Sequence, residues 1–77
     1  MKHQGHIVSL DPNFGNGGIG YIADNEGVLH FFHSSYVKNK PYKKLIVGDQ
    51  VLFRRIRARS AMGAGPQARD IEIIEFR

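Results

Sequence analysis

The 77-residue chain has no cysteine. That absence excludes a disulfide framework and thiolate zinc sites, and it fits a reducing compartment. Long apolar runs are missing too: no window approaches the roughly 20 apolar residues of a membrane-spanning helix. The polar start from Met1 to His6 leads into no apolar signal region, so the expected setting is cytoplasmic, with no membrane partner. Acidic residues are the minority, seven against eleven Lys and Arg, for a formal charge of +4. A sequence pI near 9.8 points toward polyanions, although the same charge serves solubility in many small domains. The length leaves room for one domain over residues 1–77 and for no large ligand cavity, so no small-molecule substrate is expected.

Repeats, low-complexity tracts and long helical periods are absent as well. What is present is a series of short apolar runs broken about every 8 to 12 residues by Gly, Pro, Asn or Asp, which reads as all-β. The first strand, His6 to Leu10, stops at Asp11-Pro12-Asn13, because Pro12 lacks an amide donor and pushes Asp11 away from helix. Four glycines between Phe14 and Gly20 form a loop that enters a second strand near Gly18 and continues through Ile22 or Ala23. Asp24 to Gly27 is turn chemistry, which pairs GGIGYIA with GVLHFFH as an antiparallel hairpin. Ser34 or Ser35 then caps a single helical turn before a basic loop from Lys38 to Lys44.

In the fourth run, Gln50 to Arg57, alternation puts Val51, Phe53 and Arg55 on one face and Leu52, Arg54 and Ile56 on the other. Ser60 to Pro66 is expected as a mobile turn, and Gln67 to Phe76 as the last strand. Five short strands are too few for an ordinary sandwich, but they close into a small five-stranded antiparallel barrel of the OB type. Gly18, Gly20 and Gly48 suit its corners and bulges.

Four segments in order resemble the cold-shock domain. GGIGYI at 17–22 is similar to the family's K-G-F-G-F-I motif, and FFHSS at 31–35 to its F-V-H-F-S motif. LIVGDQVLF at 45–53 and GPQARDI at 65–71 are similar to the L-x-x-G-x-x-V-x-F and G-P-Q-A-x-x-V patterns. The resemblance spans Gly5 to Ile71. It implies an OB barrel that binds single-stranded RNA or DNA through rings on strands two and three. Basic residues track phosphates, and the role implied is that of an RNA chaperone or a regulator of transcription or translation.

Residue by residue, Tyr21 matches the second aromatic of the first motif, Phe31 the first aromatic of the second, and His33 its histidine. Ile19 and Tyr21 share one face, and so do Phe31 and His33, so the two strands are expected to present one platform with Phe32 in the core. Tyr42 is similar to a loop aromatic that stacks a further base in some members. Three departures fall in the first strand, where Val8, Ser9 and Leu10 stand at the family's lysine, tryptophan and phenylalanine. Ile19, Gly17 and Ser34 replace further binding groups. At about 1 to 3 kcal/mol per stacked base, such losses weaken binding by orders of magnitude unless Phe14 or the run Arg54 to Arg59 compensates. Variant members with a strand-one leucine and an F-F-H-x-S motif share this pattern.

Blander readings stand beside these. Tyr21 is also an ordinary β-surface residue, and His33 an ordinary surface histidine. The arginine run, like Lys38, Lys40, Lys43 and Lys44, also reads as a solvated face. His3, His6, His30 and His33 make no expected metal site, since His30 and His33 face opposite ways on one strand and no carboxylate cluster joins them. Neither a cofactor nor catalysis is expected: Ser34 and Ser35 beside His33 point apart, and no Walker or nucleophile-elbow motif occurs. The alternative function is a protein-interaction barrel that has lost most nucleic-acid affinity. Three or more coplanar exposed rings among Lys and Arg favour nucleic acid, and fewer favour a protein partner. A monomer is expected in either case.

Overall fold

Each β-prone run becomes a strand: β1 (His3–Asp11), β2 (Ile19–Asp24), β3 (Leu29–His33), β4 (Gln50–Ser60) and β5 (Gly63–Ile74). The computed structural model describes residues 2–14, 17–60 and 63–74, and side chains only outside 57–65. Pro12 ends β1 as expected. Single 3₁₀ turns at Ser34–Tyr36 and Tyr42–Lys44 interrupt the connection from β3 to β4. Among the described residues no helix is long and apolar enough to cross a membrane.

The strands form a closed barrel in the order β1-β2-β3-β5-β4, with β4 returning to β1. The expectation of an entirely antiparallel sheet is corrected here. β3 meets β5 in parallel at Phe31↔Gln67, and a parallel bridge at Val37↔Ile71 continues the contact. Geometry requires this, because strands that alternate in direction close into a ring only in even numbers. A five-strand ring must contain a parallel pair, and it falls where the first meander meets the last hairpin.

A second correction concerns Ser60 to Pro66, expected as a mobile turn. The β4–β5 ladder runs from Gln50↔Ile74 to Ser60↔Gly63, so all of these except residues 61–62, which lie outside the described residues, belong to strands. Glycine adopts extended backbone as readily as turn backbone, and Gly63 to Pro66 are drawn out by pairing with β4. The last strand correspondingly begins at Gly63 and ends at Ile74, and Phe76 lies outside the described residues.

Two irregularities bend the barrel. Between Ile7↔Ile22 and Ser9↔Tyr21, β1 carries one extra residue, Val8. Between Leu52↔Glu72 and Arg54↔Arg69, Asp70 and Ile71 of β5 stand opposite Phe53 alone, and Asp70 takes a left-handed backbone with φ 51°. The extra residue resets the alternation of β5, so Ile71 and Ala68 are buried and Arg69 is exposed. Val51 and Phe53 are buried as expected, and Arg55, opposite buried Ala68 on the same face, is exposed.

Ile7, Ile22, Phe32, Val51, Phe53 and Ile71 fill the interior, with Leu45, Ala68 and Ile73 around them. Phe32 is fully buried, as its alternation with Phe31 requires. Gly20 lies under the Phe32 ring, where a Cβ would come within 2.6 Å of it. Among the described residues one polar residue shares the core. His30 is wholly buried, its ring 4.9 Å from that of Phe53, and its Nε2 donates to Asp24 Oδ2 at 3.1 Å. Asp24 Oδ1 accepts the amides of Glu26 and Val28 at 2.9 Å each, so one carboxylate holds both the hairpin turn and the buried ring. The His30 hydrogen bond holds the Asp24 carboxyl below its ordinary value against desolvation, with the Val28 and Glu26 amides assisting.

Candidate nucleic-acid interface

β2 and β3 pair with Ile19 opposite His33, Gly20 opposite Phe32, Tyr21 opposite Phe31 and Ile22 opposite His30. Because side chains alternate between faces, this register sends Gly20, Ile22, His30 and Phe32 inward and Ile19, Tyr21, Phe31 and His33 outward. The four outward residues are those the sequence groups into one platform. Tyr21 is 40% exposed and Phe31 half-buried, with ring centroids 5.8 Å apart and planes at 68°. The rings therefore meet edge to face, the arrangement their quadrupoles favour, and two rings so set fall short of the three coplanar rings that favour nucleic acid over a protein partner.

The neighbouring strands explain the limits of this ring pair. On one side β1 places Ser9 opposite Tyr21 and Asp11 opposite Ile19, so a hydroxyl and a carboxylate flank the platform. On the other side β5 places Gln67 opposite Phe31. The apolar strip is thus two strands wide and bordered by polar groups.

His33 does more than lie on the face. Its extended backbone precedes the 3₁₀ turn Ser34–Tyr36, and its Nδ1 accepts the Ser35 amide at 3.1 Å, with the Ser35 hydroxyl at 2.9 Å. The cap of the turn is therefore His33, where a serine was expected. Accepting that amide leaves the proton of the neutral ring on Nε2. The turn brings Tyr36 to 6.4 Å from the His33 ring, at 73°. The Arg69 guanidinium lies 4.8 Å from the centroid of the Tyr36 ring, within cation–π range.

Among the described residues, neither Tyr42 nor Phe14 makes a ring contact with the Tyr21–Phe31 pair. Tyr42 is partly buried against the core, and its hydroxyl donates to the Ile19 carbonyl at 2.6 Å. Its ring covers Gly18, whose φ of +108° and lack of a side chain permit the approach; a Cβ there would stand 2.3 Å from the ring. Desolvation raises the Tyr42 pKa above its ordinary value, with the Asp11 charge adding to the rise and a hydrogen bond to the Asp11 backbone opposing it. Tyr42 braces the edge of β2 from below. Lys43 is exposed beside it, on the rim of a shallow groove of about 540 Å³ lined by Leu10, Pro12, Pro41 and Leu45. Phe14 is 62% exposed at the β1–β2 connection and pairs with no ring among the described residues.

Arg54 is exposed and pairs with Asp70 at 3.3 Å, and Lys38 reaches the other Asp70 oxygen at 3.1 Å. The Lys38 hydrogen bond holds the Asp70 carboxyl below its usual range, with Arg54 contributing. Arg54 and Arg69 stand directly opposite across β4 and β5. Cations in that relation repel, and Asp70 offsets part of the repulsion.

Sequence reasoning missed two features of this region, Tyr36 with Arg69 and the buried His30–Asp24 pair. A signal for Tyr36 was present, since His33 and Tyr36 are three apart across a helical turn, a spacing that brings side chains together. Arg69 carried none, because its position beside Tyr36 depends on the parallel closure. The sequence matches no known protein-family model and no curated protein.

Proposed function

We propose that the chain binds unpaired stretches of RNA or DNA in the manner of a cold-shock domain, as a non-catalytic RNA chaperone or regulator of transcription or translation. The observation that carries this reading is the outward Tyr21–Phe31 pair, held in register on adjacent strands of a closed barrel. Aromatic faces stack on any base for about 1 to 3 kcal/mol each, and the excess of Lys and Arg supplies a salt-dependent attraction to phosphates. Two rings set edge to face serve two bases at most. Binding is consequently weak and tolerant of sequence, which suits a protein that must release the strands it traps.

The test is Tyr21→Ala with Phe31→Ala, measured by fluorescence anisotropy with labelled oligothymidylate and oligouridylate at low salt. Affinity falls about tenfold or more while the circular dichroism of the barrel is kept. Unchanged affinity rejects the platform. The ring count and the 68° tilt, short of three coplanar rings, favour one second reading, a barrel that docks another protein through the same exposed rings. That reading is selected if the parent chain itself fails to bind single strands.

A further inference from the structure

We propose that Tyr36 and Arg69, with His33 beside them, form a second base-stacking subsite that receives the nucleotide next to the one on the Tyr21–Phe31 pair. The inference rests on the single-strand reading above. Its physical basis begins with connectivity. β3 and β5 run parallel with Phe31 opposite Gln67, and two residues further along, Arg69 lies over the Tyr36 ring, which in turn stands 6.4 Å from the His33 ring. That step is about 7 Å along the sheet, which places the new group next to the first ring pair and not over it.

The backbone fixes this geometry. His33 caps the turn that carries Tyr36, the Val37↔Ile71 bridge ties the turn to β5, and the Lys38 amide donates to the Ile71 carbonyl at 2.8 Å. Asn39 then pairs with both backbone groups of Ile73, accepting its amide at 2.8 Å and donating to its carbonyl at 3.0 Å. Tyr36 and Arg69 thus sit on segments joined by the bridge and by the two Asn39 hydrogen bonds, so their backbone is already ordered for a ligand.

Charge points to an anionic ligand with a flat group. Asp70, the carboxylate nearest in sequence to Arg69, is engaged by Lys38 and Arg54. No carboxylate pairs with Arg69 among the described residues, and its cross-strand neighbour is another arginine. A guanidinium lying on a ring keeps its outer face for stacking on a base, and its in-plane N–H groups for an adjoining phosphate. Lysine in the same place supplies the charge without the plane.

The experiment compares the whole chain with Arg69→Lys, Arg69→Ala, Tyr36→Leu and Tyr36→Phe, using labelled hexathymidylate from 50 to 200 mM salt. Tyr36→Leu keeps apolar volume where the ring packs, and circular dichroism verifies the fold of each variant. Arg69→Lys and Tyr36→Leu are expected to bind about 5- to 150-fold more weakly, the loss of one stacked base, while Tyr36→Phe binds like the parent. Arg69→Lys also keeps the parent salt slope. If both Arg69→Lys and Tyr36→Leu bind like the parent while the Tyr21–Phe31 double variant does not, the subsite is overturned and the single-strand reading stands. If only Arg69→Ala weakens binding, with a shallower salt slope, Arg69 is a plain phosphate contact and the stacking subsite is likewise overturned. A parent chain that does not bind hexathymidylate overturns both.

Discussion

Tyr42→Phe separates bracing from binding at one atom. The substitution keeps the ring that covers Gly18 and packs against the core, and it removes the hydroxyl that donates to the Ile19 carbonyl at 2.6 Å. A hydrogen bond of this kind contributes about 0.5 to 1.5 kcal/mol net. In a domain of this size each kcal/mol moves the melting temperature by roughly 4 to 8 °C, so a fall of about 2 to 12 °C is expected. Affinity for single strands should stay within about twofold, because the hydroxyl points into the edge of β2. A second signature comes from titration. Because the folded state raises the Tyr42 pKa, the phenol contributes stability that is full below its unfolded value near 10 and is lost as pH rises through the folded value. Tyr42→Phe removes that part of the alkaline loss. Thermal unfolding followed by circular dichroism at neutral pH and between pH 9 and 12, with anisotropy titrations alongside, measures all three effects. An unchanged melting temperature with binding weakened tenfold would refute the brace and return Tyr42 to the stacking surface.

Asp24→Asn should flatten the acid limb of the stability curve. Its carboxyl pKa is depressed, so its contribution is present above the unfolded value near 4 and disappears as pH falls through the folded one. Urea unfolding between pH 2 and 6 checks this, and an acid limb identical to the parent's would contradict the His30 clamp. Asp70→Asn frees Lys38 and Arg54 while tolerating the left-handed backbone, so binding to oligothymidylate should strengthen severalfold at 50 mM salt and the salt slope steepen. Unaltered affinity across that salt range would mean that this cluster faces away from the strand. Gly20→Ala brings a Cβ to 2.6 Å from Phe32 and 2.7 Å from the Ser9 carbonyl, so a lower denaturation midpoint is expected. Parent-like stability would show that the barrel relaxes there without cost.

The elements most legible in the sequence are those governed by local rules. Alternation separated Phe31 from Phe32 and His30 from His33, and turn chemistry at Asp24 to Gly27 set the β2–β3 register that unites Ile19, Tyr21, Phe31 and His33. What was not legible depends on contacts distant in the chain. Ala68 and Ile71 are both buried because Asp70 and Ile71 together oppose Phe53, a shift that β5 alone does not encode. Tyr42 resembled a stacking residue because its place among lysines says nothing about the Ile19 carbonyl, 23 residues away, that holds its hydroxyl. The antiparallel expectation failed for a topological reason, since pairwise hairpin rules do not count the strands in a ring. Edge-to-face tilt between Tyr21 and Phe31 arises from ring electrostatics, on which strand register is silent.

The most direct measurement is a titration of isotope-labelled protein with short oligothymidylate and oligouridylate at low salt, following each backbone amide by NMR. Shifts should concentrate on residues 19–22, 31–36 and 67–69, with smaller changes around Tyr42. No shifts at millimolar oligonucleotide, or shifts confined to the groove at Leu10, Lys43 and Leu45, would contradict single-strand binding on the β2–β3 face.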